Sequence, residues 1–180
     1  MIYGVRLAVH FMRFSPPLLS SPEGAEGEGA KGGKKIVVTS SIAGAVPHPA
    51  LPEYSAAKSG VVGLVRAIAP VLKEKEGIAV SAVCPGLAAT AVLPGFVTDA
   101  VGGPLLTPVA EVVKAYEAFL DEEGEGRAGE VVEVVGGSMD VVPLPRVRTE
   151  LARKMMVAGM APIFGALHGG GSKADLGDLF

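Results

Sequence analysis

The spacing of apolar residues changes several times along the chain, and each change marks an element. Residues 2–12 (IYGVRLAVHFM) are apolar with Arg6 and His10 among them, which predicts an amphipathic or core helix cut close to its start. Residues 15–35 have no apolar period and are rich in Pro, Ser, Gly and Glu. Such a segment buries too little surface to offset its ordering entropy, so a flexible insertion is expected there. Residues 36–40 (IVVTS) form a short β-branched run without polar alternation, as in a strand buried on both faces. From Pro52 to about Glu76 a stripe of Val61, Leu64, Val65, Ile68 and Leu72 predicts a helix, with Pro52 in its first turn. Gly60, Gly63 and Pro70 count against that helix: the proline should kink its last turns, and the glycines would be tolerated if something packs closely against their face.

Residues 78–84 (IAVSAVC) read as a second buried strand, stopped by Pro85-Gly86. Residues 87–106 mix Gly, Pro and apolar side chains and suggest an irregular or partly helical flap. Thr107-Pro108 resembles a cap and first turn of a helix running to about Asp121. A turn at 124–129 leads into a third strand at 130–135, a further helix is expected over roughly 147–160, and the glycine-rich end is expected to fray. Strand, helix, strand, helix, strand at this spacing predicts a parallel α/β sheet with right-handed crossovers. Its first strand would be a long apolar edge, which implies that neighbouring strands are missing or come from another chain.

Composition narrows the function. The 180 residues are 49% hydrophobic and 19% charged with a net charge of −3, which fits one folded domain and excludes a wholly disordered chain. No basic block and no Trp are present, so neither phosphate neutralisation nor base stacking on indole is on offer, and no nucleic-acid partner is expected. The single Cys84 excludes an internal disulfide and a multi-cysteine zinc site, and suggests a reducing, cytoplasmic setting. The apolar opening is too short for a span and lacks the features of a secretory leader, so no membrane partner is expected.

Two stretches, 27–32 and 124–129, match G-x-G-x-x-G. Each precedes a predicted strand, whereas a dinucleotide fingerprint follows a strand and leads into a helix whose N–H groups meet the pyrophosphate. Both are read as loops. Tyr54-Ser55-Ala56-Ala57-Lys58 carries more chemistry: residues four apart share a helix face, and a cation beside a phenol favours its ionised form, as a general acid/base requires. Ser41 stands thirteen residues before Tyr54, at the carboxyl end of the first strand, where open parallel sheets bind ligands. The second strand ends on Cys84-Pro85-Gly86, with Thr90 close behind. His10, His48 and His168 show no metal-ligand spacing, so no metal is expected.

Taken together, SSIAG, the thirteen-residue interval, YSAAK and CPGLAAT resemble the short-chain dehydrogenase/reductase family over roughly residues 1–145. The style of GVRLAVHFM and GLVRAIAPVL is similar to fungal members that resemble 15-hydroxyprostaglandin dehydrogenase. The resemblance implies a partial Rossmann-like, doubly wound parallel sheet lacking its N-terminal strands, followed at 146–180 by a helix and a disordered tail. It implies hydride transfer between NAD or NADP and a small alcohol or carbonyl compound. Ser41 would hold the substrate oxygen, Tyr54 would exchange the proton, and Lys58 would bind the nicotinamide ribose and prime Tyr54. Pro85, Gly86, Leu87 and Thr90 would touch the nicotinamide side and the phosphates, and residues 91–106 would form the variable substrate flap. The long helices would serve homo-oligomer contacts.

The departures matter as much. The family's Gly-rich turn, the residue that selects NAD over NADP, and the Asn of the catalytic tetrad have no counterpart here. Losing three charge-assisted hydrogen bonds of about 1.5–3 kcal/mol each would weaken dinucleotide binding by at least ~10³-fold. The isolated chain is therefore expected to be inactive. The alternative is a non-catalytic fragment that acts through association with related subunits.

Overall fold

A computed structural model describes residues 1–14, 33–121 and 127–168. Two compact units are present, Met1–Val142 and Pro143–Phe180. In the first, helix α1 (Ile2–Phe14) precedes strand β1 (Lys34–Thr39), the one-turn helix α2 (Ile42–Ala45) and the long helix α3 (Pro52–Glu76). Strand β2 (Ile78–Pro85), helix α4 (Gly95–Val101), a 3-10 turn at Gly103–Leu105, helix α5 (Val109–Leu120) and strands β3 (Val131–Val135) and β4 (Ser138–Val141) complete it. The sheet order is β1-β2-β3-β4. The first two pairings are parallel and the third antiparallel.

Strand β2 shows why these sequences read as continuously apolar. Ile78, Val80, Ala82 and Cys84 pack with Val61, Val62, Val65 and Ala69 of α3 and with Val5 and Val9 of α1. Val83 belongs to the opposite cluster, with Val132, Val134 and the α5 residues Ala115 and Phe119. Both faces are covered, so no polar alternation is needed. Burying Phe119, 1% exposed, contributes up to about 3 kcal/mol on transfer grounds.

Helix α3 spans the residues expected of it. Pro52 sits in its first turn, and Gly77, at φ 63°, ends it by donating to the Leu72 and Lys73 carbonyls. Pro70 lies within the assigned helix, which continues to Glu76. At Gly60 and Gly63 an added Cβ would meet nothing within 4 Å, so both belong to an open face. By length and composition α3 could cross a membrane, yet Val61, Val62, Val65 and Ala69 pack in the core as in a core helix.

Three readings change. The sheet is mixed rather than wholly parallel, because Gly136 (φ 58°) and Gly137 turn the chain back and pair Val135 with Ser138. Gly-Gly between short apolar runs is itself a hairpin signal. Thr107 does not cap α5: Pro108 occupies the cap position without a side-chain bond, and the buried Thr107 hydroxyl faces the β3 carbonyl of Val134 at 3.5 Å. The last helix, α6 (Glu150–His168), starts later and runs further than expected, with Thr149 Oγ1 accepting from the Ala152 N–H at 3.1 Å. Among the described residues β1 is an edge strand, as its sequence suggested. The expected loop at 15–35 lies outside the described residues except for Gly33, Lys34 and Lys35, the last two already in β1. The first G-x-G-x-x-G stretch and the glycine-rich tail also lie outside them, as do the first three residues of the second stretch.

Candidate active site

Two parallel strands end side by side, and the segments leaving them carry the candidate residues. At the end of β1 the Ser40 N–H donates to the Val83 carbonyl at 2.7 Å, while Ser40 Oγ donates to the Lys58 carbonyl at 2.9 Å. Ser41, extended at φ −167°, caps α2 by accepting from the Ala43 N–H at 3.2 Å. A hydroxyl that accepts this bond still has its own hydrogen to donate.

Helix α2 then presses on α3 through Gly44, where an added Cβ would lie 2.7 Å from both the Lys58 carbonyl oxygen and Ser40 Oγ. Ser59 Oγ donates to the Gly44 carbonyl at 3.0 Å, and the His48 N–H donates to Ser55 Oγ at 2.9 Å. The connection between Ser41 and Tyr54 is thus fastened to the first turns of α3 at three neighbouring residues.

On that helix Lys58 Nζ donates to the Thr39 carbonyl at 3.4 Å and stands 5.6 Å from the centre of the Tyr54 ring. The ammonium therefore links the phenol to the end of β1, two residues before Ser41. Tyr54 is 44% exposed, open to a ligand.

The end of β2 adjoins this cluster. Burial pushes the Cys84 thiol above its ordinary range. The parallel pairing of Thr39 with Val83, continued by the Ser40 N–H bond to the Val83 carbonyl, places Cys84 and the Pro85-Gly86 step beside Ser40 and Ser41. The Gly86 N–H donates to the Val134 carbonyl at 2.8 Å, and Leu87 beyond it is exposed. Thr90 lies further out, exposed, its carbonyl accepting from the Leu93 N–H at 3.0 Å.

Ser41, Tyr54, Lys58, Pro85, Gly86 and Leu87 thus gather at one end of the sheet, with Thr90 on the segment leading away. A separate hollow of about 380 Å³ is lined by Pro47, His48, Pro49, Pro52, Ser55, Ala56 and Ser59 and by none of the candidates. Sequence reasoning overlooked the residues that hold the cluster together: Thr39, Ser40, Gly44 and Ser59. The doubled serine and the glycine two residues after Ile42 were the available signals.

Residues 24–99 match the short chain dehydrogenase family. The short-chain dehydrogenase/reductase prx6 of Penicillium rubens is 34% identical over 168 residues, 93% of this chain and 51% of the relative. These matches support a member of the short-chain dehydrogenase/reductase family. A second relative, the alcohol dehydrogenase-related 31 kDa protein of Drosophila erecta, is 46% identical over 59 residues, 32% of this chain and 29% of that protein. Among solved structures, a short-chain type dehydrogenase/reductase from Mycobacterium ulcerans superposes with a TM-score of 0.52 at 25% identity, covering 74% of this chain and 48% of that one. The chain thus spans about half the length of prx6 and of the Mycobacterium protein.

Proposed function

We propose that this chain carries the proton-handling side of a nicotinamide-dependent oxidoreductase acting on a CH–OH group or its carbonyl counterpart. The observation that carries this reading is the Lys58 ammonium held between the Thr39 carbonyl and the Tyr54 ring, at the end of the sheet where Ser41 caps α2. Ser41 donates its O–H to the substrate oxygen. Tyr54 gives a proton to that oxygen in reduction and takes it back in oxidation. Lys58 compensates the negative charge left on the phenol once the proton has gone.

NAD or NADP, when bound, supplies or accepts the hydride. The residues present fit the nicotinamide end: Tyr54 and Lys58 for the ribose, and Pro85, Gly86, Leu87 and Thr90 along the ring and phosphates. They do not fit the pyrophosphate end, because among the described residues no strand passes through a Gly-rich turn into a helix. The described residues thus supply the nicotinamide end of a dinucleotide site. The family domain extends over residues 1–145, with 146–180 appended. The buried lone Cys84 suits a reducing compartment such as the cytoplasm.

The test is a chimera in which this chain replaces the matching half of prx6, assayed for nicotinamide-dependent turnover of a panel of alcohols and ketones. The expected result is activity that falls at least ~10²-fold in kcat with Tyr54→Phe and about 10²-fold with Ser41→Ala. A Tyr54→Phe chimera as active as its parent would refute the assignment.

A second reading rests on α1, whose Tyr3, Leu7, Phe11 and Phe14 form an exposed apolar stripe opposite Val5 and Val9. In that reading the chain associates with related subunits through its helices and catalyses nothing. Sedimentation that shows a dimer dissociated by Leu7→Lys and Phe11→Lys, together with an inactive chimera, would favour it.

A further inference from the structure

The segment between β2 and α5 leaves the sheet at Gly86 and returns at Thr107, and one buried side chain holds both ends. Thr107 is 2% exposed. Its N–H donates to the Leu87 carbonyl at 2.6 Å, which closes residues 88–106 into a loop with a common base. Its hydroxyl lies 3.5 Å from the Val134 carbonyl, to which it donates, and accepts from the Gly136 N–H at 3.3 Å. The same Val134 carbonyl takes the Gly86 N–H at 2.8 Å. The fit around the hydroxyl is close: a Cβ on Gly86 would stand 2.7 Å from Thr107 Oγ1.

We propose that Thr107 is the positioning residue for residues 85–87, clipping the exit of β2 to the β3–β4 turn so that the Gly86-Leu87 backbone is presented in one arrangement. A helix cap would face solvent and could be replaced by Ser, Asn or Asp. This threonine instead occupies a buried junction of three segments, and its hydroxyl serves as donor and acceptor at once. The role in cofactor binding rests on the oxidoreductase reading, because it acts through Pro85, Gly86 and Leu87. The clip itself does not depend on that reading.

Amide hydrogen exchange on the 180-residue chain tests the clip directly. Thr107→Val keeps the shape and removes the hydroxyl, so the Gly136 and Gly86 amides should exchange roughly tenfold faster while those of residues 79–83 in β2 stay protected. Thr107→Ser should restore the parental rates. Unchanged exchange in Thr107→Val would overturn the proposal. If Thr107→Val does not fold, Gly86→Ala supplies the second arm: it should be destabilising alone and partly rescued by Thr107→Ala, but not by Thr107→Ser, which retains Oγ1. Equal effects of Gly86→Ala in all three backgrounds would also overturn it.

In the prx6 chimera, Thr107→Val should raise KM for the nicotinamide cofactor several-fold with kcat changed less, and Thr107→Ser should reverse the change. An unchanged KM beside altered exchange would leave the clip standing and remove its link to the cofactor. An inactive parent chimera would count against the oxidoreductase reading alone.

Discussion

The connections that leave β1 and β2 start from adjacent parallel strands and are built in opposite ways. The first, from Ser40 to Leu51, is fastened to α3 by hydrogen bonds at Ser55, Lys58 and Ser59 and by the close approach of Gly44. The second, from Gly86 to Thr107, holds a short helix with no buried residue and exposes Val92, Phe96 and Leu105 at 91%, 76% and 70%. Its described fastening to the sheet lies at the base, where Gly86, Leu87, Thr107, Val134 and Gly136 meet. In the proposed function, the first connection bears the groups that meet the reacting atoms, and the second bears the surface that meets the substrate. A precise constellation needs a packed support, whereas a recognition surface tolerates variation.

Substitutions in the two connections should separate them by magnitude. Gly44→Ala forces a methyl against the Lys58 carbonyl and is expected to cost about 1–3 kcal/mol in urea unfolding. Phe96→Ala, on the loose side, should stay within about 0.5 kcal/mol. Equal costs would remove the distinction. Further along α3 the direction reverses: Gly60→Ala and Gly63→Ala each add a methyl to open space and should stabilise by about 0.5–1 kcal/mol. Destabilisation at either site would show that something covers this face in solution.

Cys84, between the two exits, is a small-amplitude probe of the junction. Its thiol is buried and raised above its ordinary range, so little thiolate exists at neutral pH. Labelling by a thiol reagent should be slow in the folded chain, accelerate as pH rises toward the raised value, and be faster in Gly44→Ala than in Phe96→Ala. The reverse order would place the looser packing on the β1 side.

Much of this was legible in the sequence where a single physical demand fixed the residues. The apolar run of β2 required two covered faces and has them, and the Pro52–Glu76 helix has the bounds its stripe indicated. Tyr54 and Lys58 share a face because helical spacing leaves little choice. Legibility failed where tertiary contacts competed with a local signal. Thr107-Pro108 carries a helix-start pattern, yet the threonine is drawn into the β2–β3 junction. Whether anything packs against Gly60 and Gly63 was not legible in the sequence, and both lie open. Strand β4, at four residues, is too short to show a period in the sequence, although the Gly-Gly before it marks the turn.

The role of Tyr54 and Ser41 is decided by a crystal structure of the prx6 chimera with reduced nicotinamide and a bound ketone. Tyr54 Oη and Ser41 Oγ should both lie about 2.6–3.2 Å from the same substrate oxygen, with the Lys58 ammonium beside the nicotinamide ribose. A ketone oxygen held by other groups, with Tyr54 and Ser41 facing separate surfaces, would contradict it.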